Sequence, residues 1–298
     1  MTSSPSTDAI ADAWSHHFIT ANGVQLHYVM QGEGPLMLFL HGFPEFWYSW
    51  RWQIPEFAKD HRVVALDLRG YNDSDKPKGL GAYQMTELVK DIEAVVQGLG
   101  YERCTLVGHD WGGIIAWSFA YTCRHRLDRL IVMNLPHLAK FAEGLRTPQQ
   151  LIRSWYILLF HLPWLPEFLL QAADYQSIEK LFRDMAVDKS AFTDADIKAF
   201  KTAAAKRGAL TAMMNYYRAA FSPKLLEQTW DILEIPTLLI WGENDAAFGK
   251  ELTYGTEAYM RDFHLRYIPN CGHWVQQEQP QLVNQYMREF LAVSTGAE

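Results

Sequence analysis

Cysteine is scarce in this chain, and its three copies, Cys104, Cys123 and Cys271, fall at no metal-ligand spacing such as C-x-x-C. An odd, scattered set of this kind supports neither a disulfide framework nor a zinc site, and a reducing cytoplasm is the expected compartment. Basic clusters are missing as well. Lys and Arg number 27 against 34 Asp and Glu, a net charge of −7, without the positive patch that nucleic acid requires. DNA, RNA and anionic membrane surfaces are therefore not expected partners. The first ten residues, MTSSPSTDAI, offer neither a basic start nor an apolar stretch, which argues against a secretory signal. The longest apolar run, WYILLFHLPWLPEFLL at 155–170, holds two prolines and is short for a bilayer span. It reads as cap structure or a substrate-facing wall. Finally, no G-x-S-x-G occurs anywhere, which disfavours a serine esterase.

What is present is core. With 298 residues and 49 % hydrophobic content, the chain can bury one large core and carry an insertion. GVQLHYVM (23–30) alternates like an outer strand, while LMLFLH (36–41), RVVALDL (62–68), CTLVGH (104–109) and LIVMNL (130–135) read as buried central strands. Between them, 85–100 places Leu88, Ile92, Val95, Val96 and Leu99 at helical spacing and stops at Gly100. Strands alternating with helices imply a mostly parallel sheet flanked by helices. The alternation fails from about 138 to 223, a helical stretch rich in Trp, Leu and Ala. It returns at IPTLLIWG (235–242) and HLRYIP (264–269), with a last helix from about Trp274. The expected organisation is a core from 1–137 and 224–298, with 138–223 as a helical cap over the sheet's carboxyl edge.

The chemistry centres on CTLVGHDWGGIIAW. A buried strand ends at His109 and a helix starts after Asp110, with Gly108, Gly112 and Gly113 permitting a tight strand-turn-helix, the context of a nucleophile elbow. Alone, Asp110 would read as a helix N-cap; the elbow and its followers favour a nucleophile. Asp245 in WGENDAAF and His273 in NCGHW each follow a strand, in the order nucleophile, acid, histidine. His273 would act as base, held by Asp245. Phe43 in LHGFPE also follows a strand, so its amide and that of Trp111 would form an oxyanion hole.

HGFPEFWYSWRWQIP, DLRGYNDSDKP, GHDWGG and CGHW together resemble the α/β-hydrolase superfamily, and within it the epoxide hydrolases. The resemblance covers the chain from about residue 17 onward. It implies an α/β-hydrolase fold, an aspartate nucleophile, no metal or organic cofactor, and two cap tyrosines that donate protons to the epoxide oxygen. WYILLFHLP supplies Tyr156 and MNYYR supplies Tyr217, preferred over the adjacent Tyr216. The implied partners are a small hydrophobic epoxide and water. An aspartate fits attack on saturated carbon, because it leaves an ester that water can hydrolyse where a serine would leave an ether.

Rivals share the same aspartate. Haloalkane dehalogenases would use Trp111 as a halide donor but have no need of a tyrosine pair. Fluoroacetate dehalogenases keep two arginines where this chain has Trp111 and Ile114. A ligand-sensing receptor on the same fold would show a broken triad, and none of its positions is missing. His41, His109 and His161 read as structural. Asn134 stands where some relatives keep the triad acid, but an amide cannot hold the charge. Glu45 reads either as a proton relay or water holder, or as a surface or N-cap carboxylate. The tryptophans at 47, 50, 52, 155 and 164 read as core and pocket lining. The sequence gives no reading of oligomeric state.

Overall fold

The structure is a computed structural model that describes residues 14–220 and 230–293. Eight strands, β1 (Ser15–Ala21), β2 (Val24–Gln31), β3 (Leu36–Leu40), β4 (Arg62–Leu66), β5 (Cys104–His109), β6 (Leu127–Met133), β7 (Thr237–Gly242) and β8 (Phe263–Ile268), form one sheet. Their order is β1-β2-β4-β3-β5-β6-β7-β8. β1 and β2 run antiparallel, and every pair from β4 to β8 is parallel. Every residue of β3 and β5 is buried. Helices cover both faces there, so the sequence shows unbroken apolar runs rather than alternation. α1 (Met85–Gly98) turns Leu88, Ile92, Val95 and Val96 inward, and Gly100 reverses the chain with φ +83°, a conformation that glycine adopts without strain.

Two expectations need correcting. GVQLHYVM is not the outer strand: β2 is flanked by β1 and β4 and buries both faces over much of its length. The edge is SHHFITA, whose two histidines, His16 exposed and His17 half-buried, carry no apolar signal. The last helix is split into a short turn, Val275–Glu278, and a longer helix, Pro280–Ala292, because a proline tolerated at a helix start cannot continue the preceding one.

Among the described residues, six α-helices stand between β6 and β7, where the alternation fails. They are α2 (Leu138–Gly144), α3 (Pro148–Arg153), α4 (Trp155–Phe160), α5 (Leu165–Met185), α6 (Asp194–Ala205) and α7 (Ala209–Ala220). Residues 221–223, the expected end of this insertion, lie outside the described residues. α5 is kinked where Ala173, Asp174 and Tyr175 take left-handed backbone angles. α6 starts on a capping box in which Thr193 and Asp196 exchange bonds, and Asp196 also accepts the Tyr48 hydroxyl at 2.8 Å. Tyr216 of α7 donates to the Arg69 carbonyl at 2.7 Å. These buried bonds tie the inserted helices to the sheet region. Among the described residues, no helix is long and apolar enough to cross a membrane.

Candidate active site

Sheet order fixes the place. From β3 the chain steps to β4 on one side and reaches β5 on the other, so a crevice opens beyond the carboxyl ends of β3 and β5. Phe43 follows one of these strands and Asp110 the other. Asp110 takes φ +49° and ψ −119° and stands before the helix Trp111–Thr122, yet its side chain makes no capping bond. Its Oδ1 instead accepts the Phe43 N–H at 2.8 Å. Such close approach demands Gly42, because a Cβ there would overlap the Asp110 side chain. Trp111 opens the helix, where an N–H has no intrahelical acceptor.

The other carboxylate oxygen, Oδ2, lies 3.6 Å from His273 Nε2. On its far side the imidazole meets Asp245 Oδ2 at 2.9 Å. Asp245 is itself fully engaged: Oδ1 accepts the N–H groups of Ala247 and Phe248, and Oδ2 also accepts Asn134 Nδ2 at 2.6 Å. Burial alone would lower the His273 pKa, but the Asp245 charge, the nearby Asp110 carboxylate and the hydrogen bond to Asp245 push it up to about 10. Burial opposes ionisation of Asp110 as well; His273 and the Phe43 amide outweigh it and hold the carboxyl below its ordinary value.

Behind this trio lies a second buried group. Glu45 accepts the Gly42 N–H and His109 Nδ1 on Oε2, each at 2.8 Å, and the Gln276 and Gln277 side-chain amides on Oε1. His109 Nε2 faces the His273 carbonyl at 2.9 Å. Against burial, the His109 charge and hydrogen bond keep the Glu45 carboxyl below its usual value.

Aromatic rings form the opposite wall. Tyr217 packs edge-on against Trp111, Phe43 and Phe160, with centroids 5.0, 5.5 and 4.8 Å away, and Tyr156 lies 6.2 Å from it. Burial, then the Asp110 charge, raises both phenols above their ordinary value. Tyr216, the neighbour of Tyr217, is turned away and spends its hydroxyl on Arg69. Among the described residues, His27, Asp67 and Asp73 form the one grouping with metal-ligand character. Its atoms serve the protein: His27 Nδ1 meets Asp67 at 2.6 Å, Asp67 accepts the Trp47 N–H, and Asp73 pairs with Lys206.

The sequence profile of the alpha/beta hydrolase fold matches residues 35–280. Epoxide hydrolase 3 of Xenopus tropicalis is 44 % identical over 278 residues, which are 91 % of this chain and 75 % of that protein. The chain belongs to the epoxide hydrolase family of α/β hydrolases. Human epoxide hydrolase 4 is 42 % identical, over 93 % of this chain and 78 % of its own. A crystal structure of an epoxide hydrolase from Bacillus megaterium in complex with an inhibitor matches with a TM-score of 0.87 and 40 % identity, over 92 % of this chain and 99 % of that one.

Within this hydrolase the structure brings Phe43, Asp110, Trp111, Asp245, His273, Tyr156 and Tyr217 around one crevice. His41 and His161 make backbone bonds, to Gly42 and Ile157. Trp47 and Trp50 are buried, but Trp155 and Trp164 line no core: they are 63 % and 71 % exposed. Glu45 is neither a surface residue nor exposed at all. Sequence reasoning missed Gln276 and Gln277, and it gave Asn134 no part. The signal for Asn134 was its place directly after β6, beside the strand that leads to Asp245.

Proposed function

We propose that this chain hydrolyses a small hydrophobic epoxide to a vicinal diol through an ester on Asp110. The observation that carries the reading is the division of labour on that carboxylate: one oxygen is held by the Phe43 amide at 2.8 Å and the other faces His273 at 3.6 Å. Asp110 Oδ2 attacks an epoxide carbon, the carbon–oxygen bond breaks, and the ring oxygen takes a proton from Tyr156 or Tyr217. Phenols whose pKa burial has raised stay protonated at neutral pH and are competent donors.

Alkylation then removes one of the two charges that hold the His273 proton. That proton returns through solvent to the tyrosinate, and the neutral imidazole becomes a base. It takes a proton from water as the hydroxide adds to the Asp110 carbonyl carbon, and the amides of Phe43 and Trp111 stabilise the oxyanion. Collapse breaks the ester bond, the diol oxygen takes the imidazolium proton, and the Asp110 carboxyl passes its own proton to His273, which restores the starting carboxylate and imidazolium. Residues 138–223 act in this reading as a cap that supplies the two tyrosines, and aromatic walls suit an apolar substrate. A variant of the Bacillus megaterium relative holds a naphthyloxy-propanediol product, which supports a diol product here. Two buried tyrosines, Tyr156 and Tyr217, face Asp110, and a halide leaving group has no need of such a pair. The buried free thiols Cys104, Cys123 and Cys271 support a cytoplasmic setting.

His273→Gln tests the reading. With styrene oxide the variant should gain the mass of one substrate on a peptide containing Asp110 and then stall. Steady turnover by this variant, or an adduct on a peptide without Asp110, would refute the assigned roles.

A further inference from the structure

Arg51 follows the short turn Trp47–Trp50 and is only 7 % exposed. A guanidinium stays charged in a protein, so one that is buried must be held by acceptors or anions. Its Nη1 donates to Gln277 Oε1 at 2.6 Å and to the Tyr48 carbonyl at 3.3 Å. Its Nε lies 3.3 Å from Asp196 Oδ1, the oxygen that also accepts the Tyr48 hydroxyl. The guanidinium carbon stands over the Tyr48 ring, 4.6 Å from the centroid.

A side-chain amide has two unlike ends. Gln277, buried on the turn directly after His273, points its oxygen at Arg51 and its Nε2 at Glu45 Oε1, 2.8 Å away. A flipped amide would set N–H groups against the guanidinium and an oxygen against the carboxylate. The charge of Arg51 therefore chooses the orientation in which Gln277 serves Glu45, and cation, amide and anion polarise one another in line. Glu45 in turn accepts the Gly42 N–H at 2.8 Å, and the next N–H, that of Phe43, holds Asp110 at 2.8 Å.

Arg51 thus stands between two buried carboxylates of different origin. Glu45 belongs to the loop after β3. Asp196 belongs to α6 of the inserted helices, and its other oxygen is spent on the Thr193 N–H and hydroxyl, so it is fixed to the helix that carries it. Where α6 sits therefore decides where the guanidinium sits. The bonds from Asp245 to His273, Asn134, Ala247 and Phe248 lie off this path.

We propose that Arg51 is a positioning residue for hydrolysis of the Asp110 ester: it orients Glu45 through Gln277 and takes its own place from Asp196, so that the seating of the inserted helices is felt at the Phe43 amide. The inference rests on the two-step reaction proposed above, in which ester formation draws on the tyrosines and ester hydrolysis on the Phe43 amide. Rapid-quench kinetics with styrene oxide separates the two steps. Arg51→Met, which keeps the stem and removes the charge, should slow hydrolysis roughly tenfold or more through a misplaced amide and change ester formation far less. Asp196→Asn should slow the same step. Because Asp196 acts through Arg51, the double variant should be no slower than Arg51→Met alone.

A role in the fold alone predicts otherwise, since loosened helices misplace the tyrosines too. Equal slowing of both steps, or effects that multiply in the double variant, would overturn the proposal. Amide exchange followed by nuclear magnetic resonance is a readout that needs no turnover. Gly42 and Phe43 should exchange faster in each variant while Leu106 on β5 does not, and unchanged exchange at both overturns the positioning role. Absence of an Asp110 ester in His273→Gln would instead overturn the reaction reading, and amide exchange then decides for Arg51 by itself. If Arg51→Met does not fold, Asp196→Asn supplies both measurements.

Discussion

Glu45→Gln removes one charge and keeps the shape. The native carboxylate accepts four donors, two on each oxygen. A glutamine offers one carbonyl oxygen and one amide, so in either orientation two donors meet another donor. Losing two hydrogen bonds to a charged acceptor costs about 3–6 kcal/mol at about 1.5–3 kcal/mol each. For a chain of this length, roughly 2 °C per kcal/mol gives a fall in Tm of roughly 6–12 °C. Scanning calorimetry reads this directly. Because His109 and the Gly42 amide hold Glu45 below its ordinary value, its contribution is present above the unfolded carboxylate range and is lost as pH falls through the folded value. The gap between the two proteins should therefore close in acid. Rapid-quench kinetics should show ester hydrolysis slowed more than ester formation, since Glu45 anchors Gly42 and so aims the neighbouring Phe43 amide. A Tm within about 1 °C of the native value would refute the reasoning.

Tyr156→Phe and Tyr217→Phe should each slow ester formation by about 10²–10³-fold, the effect of losing one donor to a developing oxyanion, and leave hydrolysis of the ester unchanged. Tyr216→Phe is the control and should leave both steps within a few-fold, since its hydroxyl serves Arg69. Asp110→Asn should lower the His273 pKa from about 10, because a negative neighbour 3.6 Å away is replaced by a neutral one. Imidazole titration by nuclear magnetic resonance measures it, and an unchanged value would mean that Asp245 alone holds the proton.

Residues whose roles follow from neighbours in sequence were legible. CTLVGH is a strand over its full length because six consecutive buried positions leave no alternative. GHDWGG announces a turn that needs glycine. Glu45 was not legible, because its donors His109, Gln276 and Gln277 stand 64, 231 and 232 residues away. A carboxylate is buried or exposed according to such contacts, not its own motif. β1 escaped for the opposite reason: an edge strand with one wet face needs few apolar residues. Trp164 lines a groove, but Trp155 misled, because a tryptophan on an amphipathic path signals an apolar face without saying what that face meets.

Asn134 closes the base of the inserted helices. Its backbone N–H donates to Ile240 at 3.1 Å, its side-chain oxygen accepts the Gly242 N–H at 3.0 Å, and its amide holds Asp245. The two ends of a long excursion are thus stapled before the excursion begins, and lengthening such a loop adds little entropy cost. The excursion is a replaceable part. A helical segment of another length or lining between Leu138 and Ala220 would leave the carboxylate behind His273 in register, so the pocket lining and its proton donors can change while the Asp245–His273 pair stays fixed.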